Sequence, residues 1–131
     1  MAKLSSEGIE KRIEELSREV ERLERKATEM LGEAGKVVVE AWQDTIRRYG
    51  HVKTGDMLKS VRASKPTQSG GVYTSSIYPH GRDRKKQSNT TKAFVLHYGT
   101  SRIRGSHFVD EAEEKAEDAV LEAMERVWQS D

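Results

Sequence analysis

The sequence predicts an α+β fold: a long N-terminal helix, a small antiparallel sheet carrying a long basic loop, and an acidic C-terminal helix packed on the sheet. Three observations lead there. Apolar residues recur at helical spacing over the first 49 residues and again over residues 109–128. Between them, short alternating runs are punctuated by Gly-Gly and Pro, as strands and turns require. The sign of the charge also changes from one segment to the next. These divide the chain into a helical unit, residues 1–48, and a small α+β unit, residues 49–131.

The first helix is expected over residues 5–49. Ile9, Ile13, Leu16, Val20 and Leu23 are followed by Ala27, Met30 and Ala34, with spacings that alternate four and three. That is the heptad repeat of a coiled-coil seam, and the first five residues are its candidate oligomer contact. Glu and Arg or Lys fill the outer positions, with Glu14–Arg18 and Glu21–Arg25 four apart, as a solvated face prefers. Beyond Gly32 and Gly35, where a bend is expected, Val37, Val38, Val39, Ala41, Trp42, Ile46 and Tyr49 read as a core helix. Such a helix spans about 65 Å at ~1.5 Å per residue, more than a small domain covers. The seam therefore meets either another chain or the last helix of its own.

In the middle segment, Thr54 is expected to cap a short helical turn with Met57, Leu58 and Val61 on its apolar side and Asp56 in its first turn. A strand at residues 61–65, a turn at residues 66–71 and a second strand at residues 72–78, stopped by Pro79, make a hairpin. Residues 80–92 form a polar loop of a length that is usually functional or unordered. The apolar run at residues 93–98 fits a strand or a helical turn. Gly99 is expected to end it at positive φ. In the last helix Val109, Ala112, Ala116, Ala119, Val120, Ala123, Met124 and Val127 form one stripe, whose alanines permit close approach to a neighbour.

Composition narrows the function. Leu, Ile, Val and Phe make up 25 of 131 residues, a small apolar stock, yet the formal net charge is only +1, so a folded but core-poor chain is expected. It would complete its burial against copies of itself. No apolar run approaches the ~20 residues of a membrane span, and with no Cys, disulfides and thiolate metal sites are excluded. Residues 1–46 carry a balance of −3, residues 47–105 of +11 and residues 106–131 of −7. The basic middle thus meets nucleic acid or a neighbour's acidic helix, or it lies under the acidic helix of its own chain. Arg82, Arg84, Lys85, Lys86 and Lys92, opposed in the loop by Asp83 alone, lack aromatics for base stacking. They suit sequence-blind phosphate contacts, an acidic partner, or plain solvation.

Residues for catalysis are not apparent. His51, His80, His97 and His107 are too far apart in sequence for helical metal pairs, and neither a phosphate-binding Gly-rich loop nor a nucleophile elbow is present. No enzyme activity, metal or cofactor is expected.

Three stretches carry a resemblance. They are Thr54-Gly55-Asp56-Met57-Leu58-Lys59-Ser60-Val61, then Ala93-Phe94-Val95-Leu96-His97-Tyr98-Gly99-Thr100, and last His107-Phe108-Val109-Asp110-Glu111-Ala112. Their order, with a long helix ahead and an acidic Ala-rich helix behind, resembles the minor tail-component (tail-completion or neck) family of long-tailed bacteriophages and prophages. The likeness spans about residues 49–128, and the first helix is similar in kind. Thr54, Gly55, Leu58, Ser60, Gly99, Thr100 and Phe108 are the family-like structural positions, with Leu58 as the apolar anchor. His97 stands where the family commonly has an acid, and His107 where it has Pro. The resemblance implies a small antiparallel sheet packed on helices, no catalysis, and a homo-oligomeric ring around the DNA channel. It also implies assembly in the host cytoplasm, residence in the virion neck or tail, other neck and tail proteins as partners, non-specific contact with passing DNA, and no membrane. The competing readings are a sequence-nonspecific nucleic-acid-binding module using the basic middle, and a coiled-coil scaffold without a globular part.

Overall fold

A computed structural model describes residues 6–52 and 54–130. The elements are α1 (Ser6–Arg48), α2 (Asp56–Ser60), β1 (Val61–Ala63), β2 (Thr67–Ser69), β3 (Val72–Thr74), β4 (Ile77–Pro79), α3 (Asn89–Tyr98) and α4 (Phe108–Gln129). The expected start of the first helix, Ser5, lies outside the described residues. The fold is α+β, with its helices and antiparallel strands in the predicted order.

α1 runs unbroken through Gly32 and Gly35. The expected bend has a different explanation in the case of Gly35: a Cβ there would stand 3.1 Å from the Ala63 Cβ, so the missing side chain is what lets β1 lie close against the helix.

The hairpin is one ribbon with a dislocation. β1 pairs with β4 in the register Val61↔Pro79 to Ala63↔Ile77, and β2 pairs with β3 from Thr67↔Thr74 to Ser69↔Val72. Three residues on one strand, 64–66, face two on the other, 75–76, so the register slips by one. Pro66 has no N–H for a ladder, and Ser64 fills the gap: its N–H donates to the Ser76 carbonyl at 2.7 Å, and its Oγ accepts from the Ser76 N–H at 2.9 Å. The expected single strand over residues 72–78 is thus two short ones. The expected broad turn at residues 66–71 shrinks to Gly70-Gly71, both at positive φ, because residues 67–69 join the ladder.

The core lies where α1, α2, β1, α3 and α4 meet. Ile46, Phe108 and Ala112 are fully buried, and Trp42, Ala41, Met57, Val61, Ala93 and Ala116 surround them. Phe108 meets Trp42 edge-on at 5.7 Å between ring centroids.

α4 packs along α1 rather than on the sheet. It runs antiparallel: Arg48 pairs with Glu111, Lys115 with Asp44 at 3.6 Å, and the Lys26 ammonium donates to the Val127 and Ser130 carbonyls. The reason is its Ala112, Ala116 and Ala123 face, which fits a helix surface closely. Of its acidic residues Glu111 pairs with Arg48, and among the described residues no ion pair joins the others to the basic loop, so the helix does not neutralise that loop.

Candidate assembly surfaces

The predicted site residues fall into three groups. Thr54, Gly55, Leu58, Ser60, Gly99, Thr100 and Phe108 support the core and its loops. Arg82, Arg84, Lys85, Lys86 and Lys92 form one corner. Ile9, Ile13, Leu16, Val20 and Leu23 form a stripe along the part of α1 that projects past α4.

Around α2, Gly55 holds φ +84 and occupies the cap position, where Thr54 was expected. The Thr54 Oγ1 accepts from the Asp56 N–H at 3.3 Å, a local turn just ahead of the helix. Met57 is the buried anchor, at 4% exposure, and Leu58 is only half-buried beside it. With α2 only five residues long, a shift of one position along it exchanges the core-facing residue. The Ser60 hydroxyl donates to the Met57 carbonyl at 2.7 Å and closes the turn.

The run at residues 93–98 is the end of α3, which Ser88 caps by accepting from the Thr91 N–H. Gly99 has φ +85 and ψ −178, as expected in sign. Its role is to turn the chain so that residues 103–107 return across the open end of α3. There Ser106 and His107 donate their N–H groups to the Leu96 and His97 carbonyls, both at 3.0 Å. The Thr100 Oγ1 accepts from the N–H groups of Arg102 and Ile103 at 3.2 and 3.1 Å, and shapes that return. Gly105 is the partner that sequence reading missed: a Cβ on it would lie 2.5 Å from the His97 carbonyl oxygen.

The loop is an organised turn and not an unstructured segment. Asp83 accepts from the Lys85 and Gln87 N–H groups at 2.9 and 2.8 Å, and from the Lys92 ammonium at 2.7 Å. The Lys92 contact, foremost, holds the Asp83 carboxyl below the usual carboxylate range. Arg84 grips Asp56 with two guanidinium bonds of 2.9 Å each and donates its N–H to the same carboxylate at 3.0 Å. Asp56 is accordingly held far below its ordinary value, by Arg84 above all. Arg82 donates to the Lys86 carbonyl at 2.9 Å. Two of the five cations, Arg84 and Lys92, are thus neutralised, while Arg82, Lys85 and Lys86 stay exposed without an ion pair among the described residues. Asp56 and Asp83 each have a structural task, which charge counting alone cannot show.

Beside this corner a cleft of ≈ 660 Å³ opens between α2, the loop and α3. Met57, Val95 and Leu96 give it apolar walls, and Arg82, Lys86 and Lys92 line it too.

His97, His107 and Asp110 converge with ligand atoms within 4.8 Å of one another, a cluster that their sequence spacing hides. Its geometry opposes metal binding. The His97 Nδ1 accepts from the Val109 N–H at 3.2 Å, so its proton sits on Nε2, which faces Asp110 at 3.9 Å as a donor. A metal-ligating histidine needs the reverse, a lone pair toward the ion and an N–H toward the protein. His97 instead satisfies a first-turn N–H of α4, where His107, at φ +52, makes no side-chain cap.

The apolar stripe is bare. Ile9, Ile13, Leu16, Val20 and Leu23 are between 42% and 66% exposed, whereas Ala34, further along the same stripe, is buried. The difference is the reach of α4, which stops beside Lys26. No described helix is long and apolar enough to cross a membrane.

Residues 7–101 match the family model described as "Bacteriophage HK97-gp10, putative tail-component". The chain belongs to this family. The match takes in α1 and stops just past the Gly99-Thr100 corner, so it extends the resemblance toward the first helix and leaves Phe108 and α4 outside. No curated protein and no solved structure shows a significant match. The chain is therefore a phage tail component by family, which associates it with the virion and with other phage proteins.

Proposed function

We propose that this tail component is a completion or neck adaptor, which oligomerises as a ring at the head-proximal end of the tail and helps join tail to head. The carrying observation is the stripe at residues 9–23: a helix that continues some twenty residues past its own packing partner, with its apolar face in water, is built for a neighbouring chain. The exposed Arg82, Lys85 and Lys86 beside a partly apolar cleft fit an acidic neighbour or the phosphates of passing DNA. The acidic outer face of α4, with Leu121 and Trp128 exposed on it, is the matching surface of a copy or of another neck protein. One patch meeting a different patch on the next copy closes a ring. The role requires no catalysis and no cofactor; assembly takes place in the host cytoplasm, and the finished protein resides in the virion.

The test is deletion of the chain from its phage, with the lysate viewed by electron microscopy. Filled heads and full-length tails that fail to join are expected, and an Arg82→Ser/Lys85→Ser/Lys86→Ser variant should lower the yield of joined particles. Normal joined particles without the chain would refute the adaptor role. Tight binding of free subunits to random duplex DNA, with a steep salt dependence, would point instead to a nucleic-acid-binding module.

A further inference from the structure

The heptad positions flanking the bare stripe carry a pattern of charge that selects one way of covering it. With Ile13 and Val20 at a and Ile9, Leu16 and Leu23 at d, the g positions are Arg12, Glu19 and Lys26, and the e positions are Glu10, Ser17 and Glu24. In a parallel pair each g residue faces an e residue five places on. Arg12 then meets the partner's Ser17, and Glu19 meets the partner's Glu24, so the two flanks offer two repulsions and no attraction.

In an antiparallel pair g faces g and e faces e, and only one register suits both charge and space. Setting Ile13 opposite the partner's Leu16, and Ile9 opposite the partner's Val20, brings Arg12 to the partner's Glu19 and, by symmetry, Glu19 to the partner's Arg12. The e flank sets Glu10 against the partner's Ser17, which is neutral. A shift of one heptad toward the body sets Ile13 opposite the partner's Leu23 and fails twice. It opposes Arg12 to the partner's Lys26 and Glu19 to the partner's Glu19. It also lays the partner's residues 7–9 along positions 27–29, which α4 already flanks as it ends at Lys26. The opposite shift sets Arg12 against the partner's Arg12 and leaves two apolar layers where the favoured register has four.

We infer that the stripe pairs with the same stripe of a second copy, antiparallel, with Ile13 packed on Leu16 and Arg12 bonded to Glu19 across the two-fold axis. The partner helix then continues the path of α4: both run antiparallel to α1 on one apolar face, and the partner begins where α4 ends. A two-fold contact closes after two copies, so a ring joins such pairs through a second contact, the basic corner of one copy and the acidic face of α4 of the next. The inference deepens the oligomer part of the proposed function and is independent of the neck placement.

Sedimentation equilibrium on the full chain at low salt tests it. The mass should rise with concentration toward twice 14.9 kDa. Glu19→Arg should weaken the dimer roughly tenfold, since two attractive pairs become repulsive. Arg12→Glu should do the same, and the double exchange Arg12→Glu/Glu19→Arg should restore wild-type association. A chain monomeric at every concentration overturns the pairing. So does a dimer that Glu19→Arg tightens, the result a parallel pair would give by facing Arg with the partner's Glu24. A monomeric chain whose deletion still leaves heads and tails unjoined would remove the pairing and keep the adaptor.

Discussion

Replacing Gly99 with Ala probes the return of the chain across α3 at its narrowest point. Two costs can be separated. The backbone holds φ +85 with ψ −178, a region that L residues enter at a cost of about 1–3 kcal/mol. The new Cβ would lie 2.5 Å from the Ile103 carbonyl oxygen and closer still to the Gly105 nitrogen. Both are backbone atoms of the returning strand, so no side chain can swing away, and overpacking of this kind costs about 1–3 kcal/mol more. Together they predict a loss of about 2–6 kcal/mol, against the ~5–15 kcal/mol that holds a typical domain together. At this chain length that lowers the melting temperature by roughly 6–24 °C. Gly32→Ala is the control. It lies inside α1 with nothing within 4 Å of the added methyl, so the same chemical change should stabilise by about 0.5–1 kcal/mol. Urea unfolding followed by circular dichroism reads both. A Gly99→Ala midpoint within about 1 kcal/mol of wild type would show that the return loop shifts freely and that the corner does not organise the fold.

Phe108→Ala should cost about 3–5 kcal/mol in the same assay, since the ring is fully buried between Trp42, His51 and His97; a loss under about 1 kcal/mol would mean that α4 docks without it. Arg84→Ser should lower thermal stability measurably while Lys85→Ser and Lys86→Ser leave it unchanged, because only Arg84 has a carboxylate partner; equal effects by calorimetry would contradict the pairing with Asp56. Acidification should destabilise the chain in two stages. His51 is held below its ordinary 6.5 by burial, so the folded state resists its protonation and stability begins to fall as pH drops below about 6.5. The lowered Asp56 and Asp83 values add stability above the ordinary carboxylate pKa of about 4 that is lost on going below it, and Asp83→Asn should flatten that second stage of a melting-temperature profile.

Which elements were legible in the sequence follows from the range of the forces that make them. The two long helices repeat one spacing over many turns, so their faces add up and their extents emerge within a residue or two. The Gly99 corner was legible because a single residue type answers a single backbone demand. The hairpin was legible as a ribbon but not in its register, since the slip at Ser64 depends on hydrogen bonds that Pro66 prevents and Ser64 replaces. In α2 the exchange of Leu58 for Met57 as the buried residue reflects the shortness of the element: five residues do not define a face. The loop misled for the opposite reason. Apart from Asp83 its cations looked unopposed, because Asp56 is 28 residues from Arg84 and no local pattern signals a pair at that distance.

The place of α4 shows what composition contributes beyond periodicity. An acidic helix next to a basic segment suggests charge matching, yet a screened surface pair contributes ~0–1 kcal/mol, while burying a continuous apolar stripe contributes about 25 cal/mol per Å² over its whole length. The alanine face of α4 therefore settles on the apolar stripe of α1, and the cross-helix ion pairs follow from that docking: Glu111 of α4 meets Arg48, and Lys115 of α4 meets Asp44. Two consequences carry over to assembly. The basic corner at Arg82, Lys85 and Lys86 keeps its charge because the two acids beside it, Asp56 and Asp83, are taken by Arg84 and Lys92, while the acids of α4 lie along α1. The stripe of α1 stays bare from Leu23 outward because α4 is half as long as its partner. Both surfaces proposed as contacts thus have one cause, the choice of the shorter helix to pack by shape on the longer one.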